Sequence, residues 1–462
     1  MQLVAYGAQD VYLTGNPKVT FFQAVYKRHT NFAMELIQQT TNGSPAPNGR
    51  VSVTIARNGD LVGNMHIALT PLATLALTSN NAASLGYDTN WVAERAISAI
   101  ELTIGGQRID KHYQTWWRLY AELFLNESDK YAWGKMTTMS NLNIGTASLN
   151  TRVYLPLLFF FNRNPGLYLP LIALQYHEVR LDIDLSSYYD KYFGTTNAFE
   201  VWANYIYLDT EERRRFAQKG HEYLIEQVQH TGGDSLDATK GEGAQQLVRL
   251  SFNHPVKELI WCYQNPAASA TAQLNALWNF STSTSNVNVS CNTQSFVISN
   301  NWILPHVTGV PTLVNNNGGA AVFGVAVSGA ANSGTAYWVE EGSANLTNST
   351  TLPGVEVGPL NLFKVILNGQ DRFKEQNGKY FNQVQPFYHH TGTPYVGIYS
   401  YSFALQPEEH QPTGTCNFSR IDNAQVSVQL KTGTQASLQK LFAVNYNVLR
   451  IQSGMGGLAF SN

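Results

Sequence analysis

Few residues in this chain combine the types and spacing that chemistry requires. His221-Glu222 opens like the H-E-x-x-H pattern that sets two imidazoles one helical turn apart on zinc, but Ile225 stands where the second His belongs. Asp182 and Asp184 lie two apart, so on a strand they share one face. Two carboxylates there could bind a cation or divide acid and base roles, and the plainer reading is a polar strand face toward solvent or a partner. His389-His390 and Glu408-Glu409-His410 are metal-ligand types without a third element in register, which reads as loop and strand-end hydrogen bonding. Cys262, Cys291 and Cys416 are far apart and form no CxxC pair, so they read as free thiols in a reducing compartment. No Walker pattern occurs, and Gly241-Glu-Gly243 lacks the third glycine of a dinucleotide loop. Arg213-Arg214-Arg215 follows Glu211 and Glu212. That suits a solvated helix face or salt bridges between subunits better than nucleic acid. The reading is therefore a chain with no catalytic residues, no cofactor and no metal.

Composition narrows the class. The 462 residues carry 30 Lys plus Arg and 32 Asp plus Glu, a formal charge of −2. Charged residues are 13% of the chain, against about 25% in ordinary domains, while aromatics reach 12%. Disordered chains need the reverse balance. Coiled coils need charged heptads, and nucleic-acid binders need surplus base. The longest apolar run, Tyr154 to Phe161, is broken by Pro156 and is far short of the ~20 residues of a membrane span. The first residues lack the basic-then-apolar plan of a signal peptide. Together these predict production and use in the cytosolic space.

The elements that must carry such a chain are mostly strands. Arg50–Arg57 alternates with period two, and Asn58-Gly59 predicts a tight hairpin into Asp60-Leu-Val. Ser98–Ile104, Gly105-Gly106 and Gln107–Asp110 predict a second hairpin. Further strands are expected at Phe199–Leu208, Leu247–Phe252, Lys257–Tyr263, Gly397–Leu405, Ala424–Leu430 and Leu441–Ile451. Many short strands with Gly, Pro and Asn turns point to sandwiches or barrels. Tyr113–Leu125 has one apolar stripe and predicts a helix. Residues 209–220 predict a short, charged connecting helix capped by Asp209 or Thr210. It divides an arm (1–25) and a first β-rich domain (26–208) from a second (221–462).

The arm is too apolar to stay comfortably solvated, so Tyr6, Phe21 and Phe22 are expected to pack under their own domain or a neighbouring subunit. From Leu259 to Val339 there is no Asp, Glu, Lys or Arg, which predicts strands with long neutral loops over about 265–350. Seven N-x-[ST] sequons occur, and those at Asn279, Asn288, Asn345 and Asn348 mark exposed loops and candidate glycosylation sites.

Several ordered segments carry a resemblance. Gln2–Pro17, Thr20-Phe-Phe and Tyr26–Phe32 resemble the start of the major capsid proteins of nucleocytoplasmic large DNA viruses. Leu208–Ala217 with His221–Ile225 resembles that family's junction between domains. Leu367–Phe373, Gln385–His390, Leu405–Gly414 and Asn417–Asn423 continue the likeness, so it runs nearly end to end. The resemblance implies an all-β fold of two consecutive eight-stranded antiparallel jelly rolls, with a few short helices and long loops. It implies a homotrimer forming a pseudo-hexagonal capsomer of an icosahedral virion shell assembled in the host cytoplasm. Expected partners are the chain itself, neighbouring capsomers, minor capsid and penton proteins and, indirectly, an internal viral membrane, with no direct nucleic acid. Arg213, Arg214 and Arg215 are candidates for pairing across subunits. The alternative is a jelly-roll carbohydrate-binding protein or glycoside hydrolase, which would need an acid pair about 5–9.5 Å apart.

Overall fold

The computed structural model describes residues 7–71, 91–137, 152–194, 199–236, 244–264, 277–278, 280, 358–431 and 438–460, with five short strands between 287 and 337. The first domain holds β1 (Phe32–Gln39), β2 (Thr41–Asn42), β3 (Arg50–Thr54), β4 (Leu61–Leu69), β5 (Ile97–Ile104), β6 (Gln107–Tyr113), β7 (Val153–Pro156), β8 (Leu169–Pro170), β9 (Val179–Leu185) and β10 (Phe199–Leu208). One sheet runs β1-β10-β4-β7, with β8 on β4, and the facing sheet runs β2-β3-β9-β5-β6. Every pairing is antiparallel. Successive main strands alternate between sheets except for the β5–β6 hairpin, which gives the eight-stranded jelly roll.

The second domain repeats that plan. Its strands are β11 (His221–Ser235), β12 (Gln246–Leu250) and β13 (Pro255–Gln264). After β13 come β14 (Val287–Cys291), β15 (Gln294–Ile298), β16 (Thr312–Asn315), β17 (Ala321–Val325) and β18 (Ala336–Tyr337), which pair only among themselves. The roll resumes with β19 (Leu360–Leu367), β20 (Gln370–Asp371), β21 (Gln376–Asn377), β22 (Ile398–Ser402), β23 (Cys416–Asn417), β24 (Ala424–Leu430), β25 (Leu438–Gln452) and β26 (Met455–Leu458). The sheets run β11-β25-β13-β22 and β12-β24-β19-β20, strand for strand the order of the first domain. The neutral segment is thus the connection between β13 and β19.

Alternation explains the cores. In β3, Val51 and Val53 point in, and in β10 Val201, Ala203 and Tyr205 do so. In the second roll Leu259 and Trp261 of β13 face Phe363 and Val365 of β19, with the Trp261 and Phe363 rings stacked at 4.3 Å. Antiparallel order also fixes the ends. The connections β4–β5, β6–β7 and β9–β10 leave from one end of the first roll, and β13–β19, β21–β22 and β24–β25 leave from the matching end of the second. Both rolls therefore carry their long insertions at one end. The chain enters β1 at the other end, where Phe32 pairs with Leu208 just ahead of the connecting helix Thr210–Gln218.

The first predicted hairpin is corrected. β3 pairs with β2 and β9, and β4 pairs with β10, β7 and β8, so Asn58-Gly59 joins the two sheets. Neither residue lies in the left-handed region. Gly59 is instead required by proximity: a Cβ there would sit 2.9 Å from the Tyr205 Cβ. A turn signal fixes a reversal but not the partner. The Gly105-Gly106 hairpin forms as read, with φ of +57° and +82°.

Candidate assembly surface

The carboxylates and imidazoles resolve into ion pairs. Asp182 and Asp184 do share a face of β9, but Arg50 engages Asp184 at 2.7 Å, and Asp182 accepts hydrogen bonds from Ser52 and Arg180. Burial opposes ionisation of Asp182, yet those hydrogen bonds hold its carboxyl below the usual range. These two carboxylates act as a polar strand face, each held by a basic partner. Glu222 pairs with Arg450 on a strand, so the His221 segment lacks the helix that zincin geometry needs. His390 and Glu408 do meet, joined by Glu258 of β13, which the sequence did not single out. His410 turns instead to Glu226, and His389 to the Leu405 carbonyl. Among the described residues no group of three His, Cys, Asp or Glu side chains could hold a metal. Cys262 is buried between the domains and its thiol is pushed up to about 12 by burial.

The larger surfaces serve contact. The outer face of the sheet β11-β25-β13-β22 is buried against the first domain, where Ile260, Cys262, Ile398, Phe442 and Val444 join the first domain's core. The helix Gln114–Phe124 lies over that face. Trp116 meets Phe442 with ring centroids 5.7 Å apart, Phe124 meets His390 at 5.2 Å, and Lys440 Nζ donates to Thr115 at 3.1 Å. Trp116, Tyr120 and Phe124 are spaced by four, the stripe a helix needs to lay one side on a sheet. Polar groups seam the joint: Val228 N–H donates to Asp110, Leu458 N–H to Gln107, and Arg163 pairs with Glu226 at 3.0 Å.

The corresponding outer face of β1-β10-β4-β7 is less covered among the described residues: Leu61 and Ile206 are buried at one end of it, while its β1 edge is open. Phe32, Met34 and Leu36 of β1 are each more than half exposed. Trp202 and His66 are half-buried beside them, and Tyr154 makes an edge contact with His66 at 5.7 Å. On the second domain, the helical segment Tyr380–His389 lies between β21 and β22, as Gln114–Phe124 lies between β6 and β7 on the first. Its outward stripe, Val384, Phe387 and Tyr388, is exposed, the last two at 80% and 71%. Sequence reasoning missed both surfaces. The alternation Phe32-Met34-Leu36 was a readable signal, and Phe387-Tyr388 sat inside a recognised segment without a role.

The expected assembly residues fall unevenly. Phe21 and Phe22 are 93% and 100% exposed, and the arm from Tyr12 to Tyr26 does not pack under its own domain. Tyr6 lies outside the described residues. Arg213 binds Asp60 of its own chain through two contacts at 3.0 Å, tying the connecting helix to the residue just ahead of β4. Arg214 is exposed, and Arg215 lines a cavity of about 350 Å³ beside Glu212, Lys219 and His221. Asn288 is on β14, while Asn279, Asn345 and Asn348 lie outside the described residues.

Comparison with known proteins agrees with this architecture. Residues 20–213 match the model for the major capsid protein N-terminus, and 212–457 match that for the large eukaryotic DNA virus major capsid protein. The chain is 41% identical to the major capsid protein of Paramecium bursaria Chlorella virus 1, covering 100% of this chain and 99% of the relative. It is 39% identical to that of Phaeocystis pouchetii virus at the same coverage. The quasi-atomic model of the PBCV-1 virus capsid superposes with a TM-score of 0.70 and 38% identity, over 96% of this chain and 100% of that one. The Faustovirus major capsid protein, 14% identical, shares the fold at a TM-score of 0.63 over 97% and 94%. Two like sandwiches, exposed apolar stripes, carboxylates spent on ion pairs and these matches place the chain in the family of large eukaryotic DNA virus major capsid proteins.

Proposed function

We propose that three copies of this chain close into a ring of six jelly rolls, and that such pseudo-hexagonal capsomers tile an icosahedral shell. The coarser statement is secure: the chain is a structural component of a viral capsid, and its relatives are capsid proteins rather than enzymes. One observation carries the finer reading. Two rolls of identical strand order stand side by side, with the outer sheet of the second covered by the first, while the matching sheet of the first leaves Phe32, Met34 and Leu36 more than half exposed. A threefold axis repeats that contact between chains and covers those residues, which is closed heterologous assembly. The low charge content helps, because each unpaired charge buried at such a contact costs several kcal/mol.

The long insertions share one end of the rolls and the arm leaves from the other. In this reading the insertions face outward, and the arm faces minor capsid and penton proteins and, indirectly, an internal membrane. Assembly in the host cytoplasm suits the free thiols. Light scattering on the purified chain tests the ring: three chains of 51.2 kDa give a particle of about 150 kDa, and a stable monomer at micromolar concentration refutes it.

A further inference from the structure

We propose that the stripe Val384, Phe387 and Tyr388 of one copy docks on the outer face formed by Met34, Leu36 and Trp202 in the first jelly roll of the next copy. The proposal rests on the ring reading and names the contact that would close it. Its warrant is the contact the chain already makes with itself. Within one copy, the helix following the sixth strand of the first roll presents Trp116, Tyr120 and Phe124, and the face made by the second roll's first, last and middle strands receives them. The second roll has a helix at the same point in its strand order, with an aromatic stripe that touches nothing of its own domain's core.

The receiving strands correspond as well. β11, β25 and β13 supply His230, Phe442 and Ile260 in the occupied socket, with the His230 and Phe442 rings stacked at 4.3 Å. In the open one β10 and β4 supply Trp202 paired with His66 in the matching row, which Gln38 completes on β1, with Leu36 and Met34 next along the same face of β1. Burial pushes the His66 imidazole below its usual range, and the Glu200 carboxylate that accepts the Trp202 Nε1–H at 3.0 Å is neutralised by Arg152 at 2.9 Å. A plug of Phe and Tyr and a socket of Met, Leu and Trp match the chemistry of interface centres, where aromatics dominate and charges are scarce.

The plug is held ready. Gln385 is fixed by Ser402 N–H and by Tyr380 OH, and Asn382 donates to the carbonyls of Tyr395 and Ile398, so the helix cannot roll its aromatics inward. Because plug and socket lie on different domains, the contact is head-to-tail and closes only when the rotation between copies closes.

Two surface variants test this. F387E/Y388E removes the plug and M34E/L36E removes the socket, all at exposed positions. The wild-type chain is expected to run as a trimer and each variant as a monomer with an unchanged far-ultraviolet circular dichroism spectrum. An equimolar mixture of the two is expected to form a one-to-one dimer, since one good plug and one good socket remain. A double variant L36C/F387C is expected to give an oxidant-dependent covalent trimer in denaturing gels. A trimer that survives F387E/Y388E overturns the proposal while leaving the ring reading intact. A trimer lost on truncating the arm but not in F387E/Y388E gives the socket to the arm and also overturns it. A monomeric wild type overturns both.

Discussion

The imidazole of His390 lies 3.0 Å from the Glu258 carboxylate, with the side chains of both residues fully buried. Its other nitrogen is 3.2 Å from Glu408, which also accepts the Thr391 N–H, and the Phe124 ring of the first domain closes the site edge-on. The approach to Glu258 is an ion-pair contact more than an aligned hydrogen bond, since the Glu258 oxygens find no hydrogen-bond donor. Burial disfavours the imidazolium, but Glu258 and Glu408 together outweigh it and the pKa is pushed up to about 9. The pair pins the end of the segment carrying Phe387 and Tyr388 to β13.

Alkaline lability follows. An unfolded histidine titrates near 6.5, so the folded state holds the proton more tightly. The stabilisation is full below pH 6.5 and is lost as pH rises through about 9. Denaturant midpoints measured from pH 7 to 9.5 should therefore fall for the wild type. His390→Gln should lower stability at pH 7 by roughly 3 kcal/mol and flatten that slope. Equal slopes in the two proteins would remove His390 as the cause.

Glu226 predicts the opposite pH behaviour. It meets Arg163 at 3.0 Å, Lys257 at 2.7 Å and His410 at 3.6 Å. Burial works against its charge, but Arg163, His410 and Lys257 hold it far below the usual carboxylate range. Its contribution is present above about pH 4.5 and is lost as pH falls. Glu226→Gln strands Lys257, which is 1% exposed, and should cost roughly 3–5 kcal/mol at neutral pH. Unfolding at pH 7 and pH 3 checks this: the gap between wild type and variant should narrow in acid.

Much of the fold was legible in the residues because strands announce themselves by alternation. Phe199–Leu208 and Ala424–Leu430 begin and end where the pattern does. Beyond the Gly105-Gly106 hairpin, which strands pair was not legible, since those pairings are set by tertiary contacts. Asn58-Gly59 looked like a hairpin, and Gly59 was instead chosen by the ring of Tyr205. Charge partners were hidden for the same reason. Glu258 sits 132 positions before His390, and no local spacing relates them. The contact faces were partly legible, because the aromatic arm stood out, whereas the alternation Phe32-Met34-Leu36 was readable as a strand face but not as one turned away from its own core.

Gly397 tests how closely the neutral connection approaches the second roll. Its φ is +88°, and a Cβ would fall 2.3 Å from the Phe280 carbonyl oxygen. Gly369 has a similar φ of +76° but open space around it. Gly369→Ala should cost about 1 kcal/mol from backbone strain alone. Gly397→Ala should cost at least about 3 kcal/mol, because the strain is joined by a clash with main chain that cannot rotate away. Equal losses, read from chemical denaturation of both variants, would mean that the Phe280 segment yields.

Removing residues 1–17 should separate folding from assembly. The hydrogen bonds of Gly7–Gly15 close on the segment itself, and Tyr12 and Leu13 are almost wholly exposed. Among the described residues of that stretch, 7–17, no buried contact is lost, and stability should change by less than about 0.5 kcal/mol. The trimer should also persist, because neither the Phe387 stripe nor the Met34 face is touched. Yet an apolar segment with no internal partner has a reason to exist only if something outside the chain covers it. No acid occurs from Val11 to Met34, while Lys18, Lys27 and Arg28 do, so the covering surface should be apolar with an acidic rim. The expected result is a normal trimer with a sharply reduced yield of closed shells, counted by electron microscopy. Shells of ordinary yield and stability from the truncated chain would show that the arm plays no part in closing the shell.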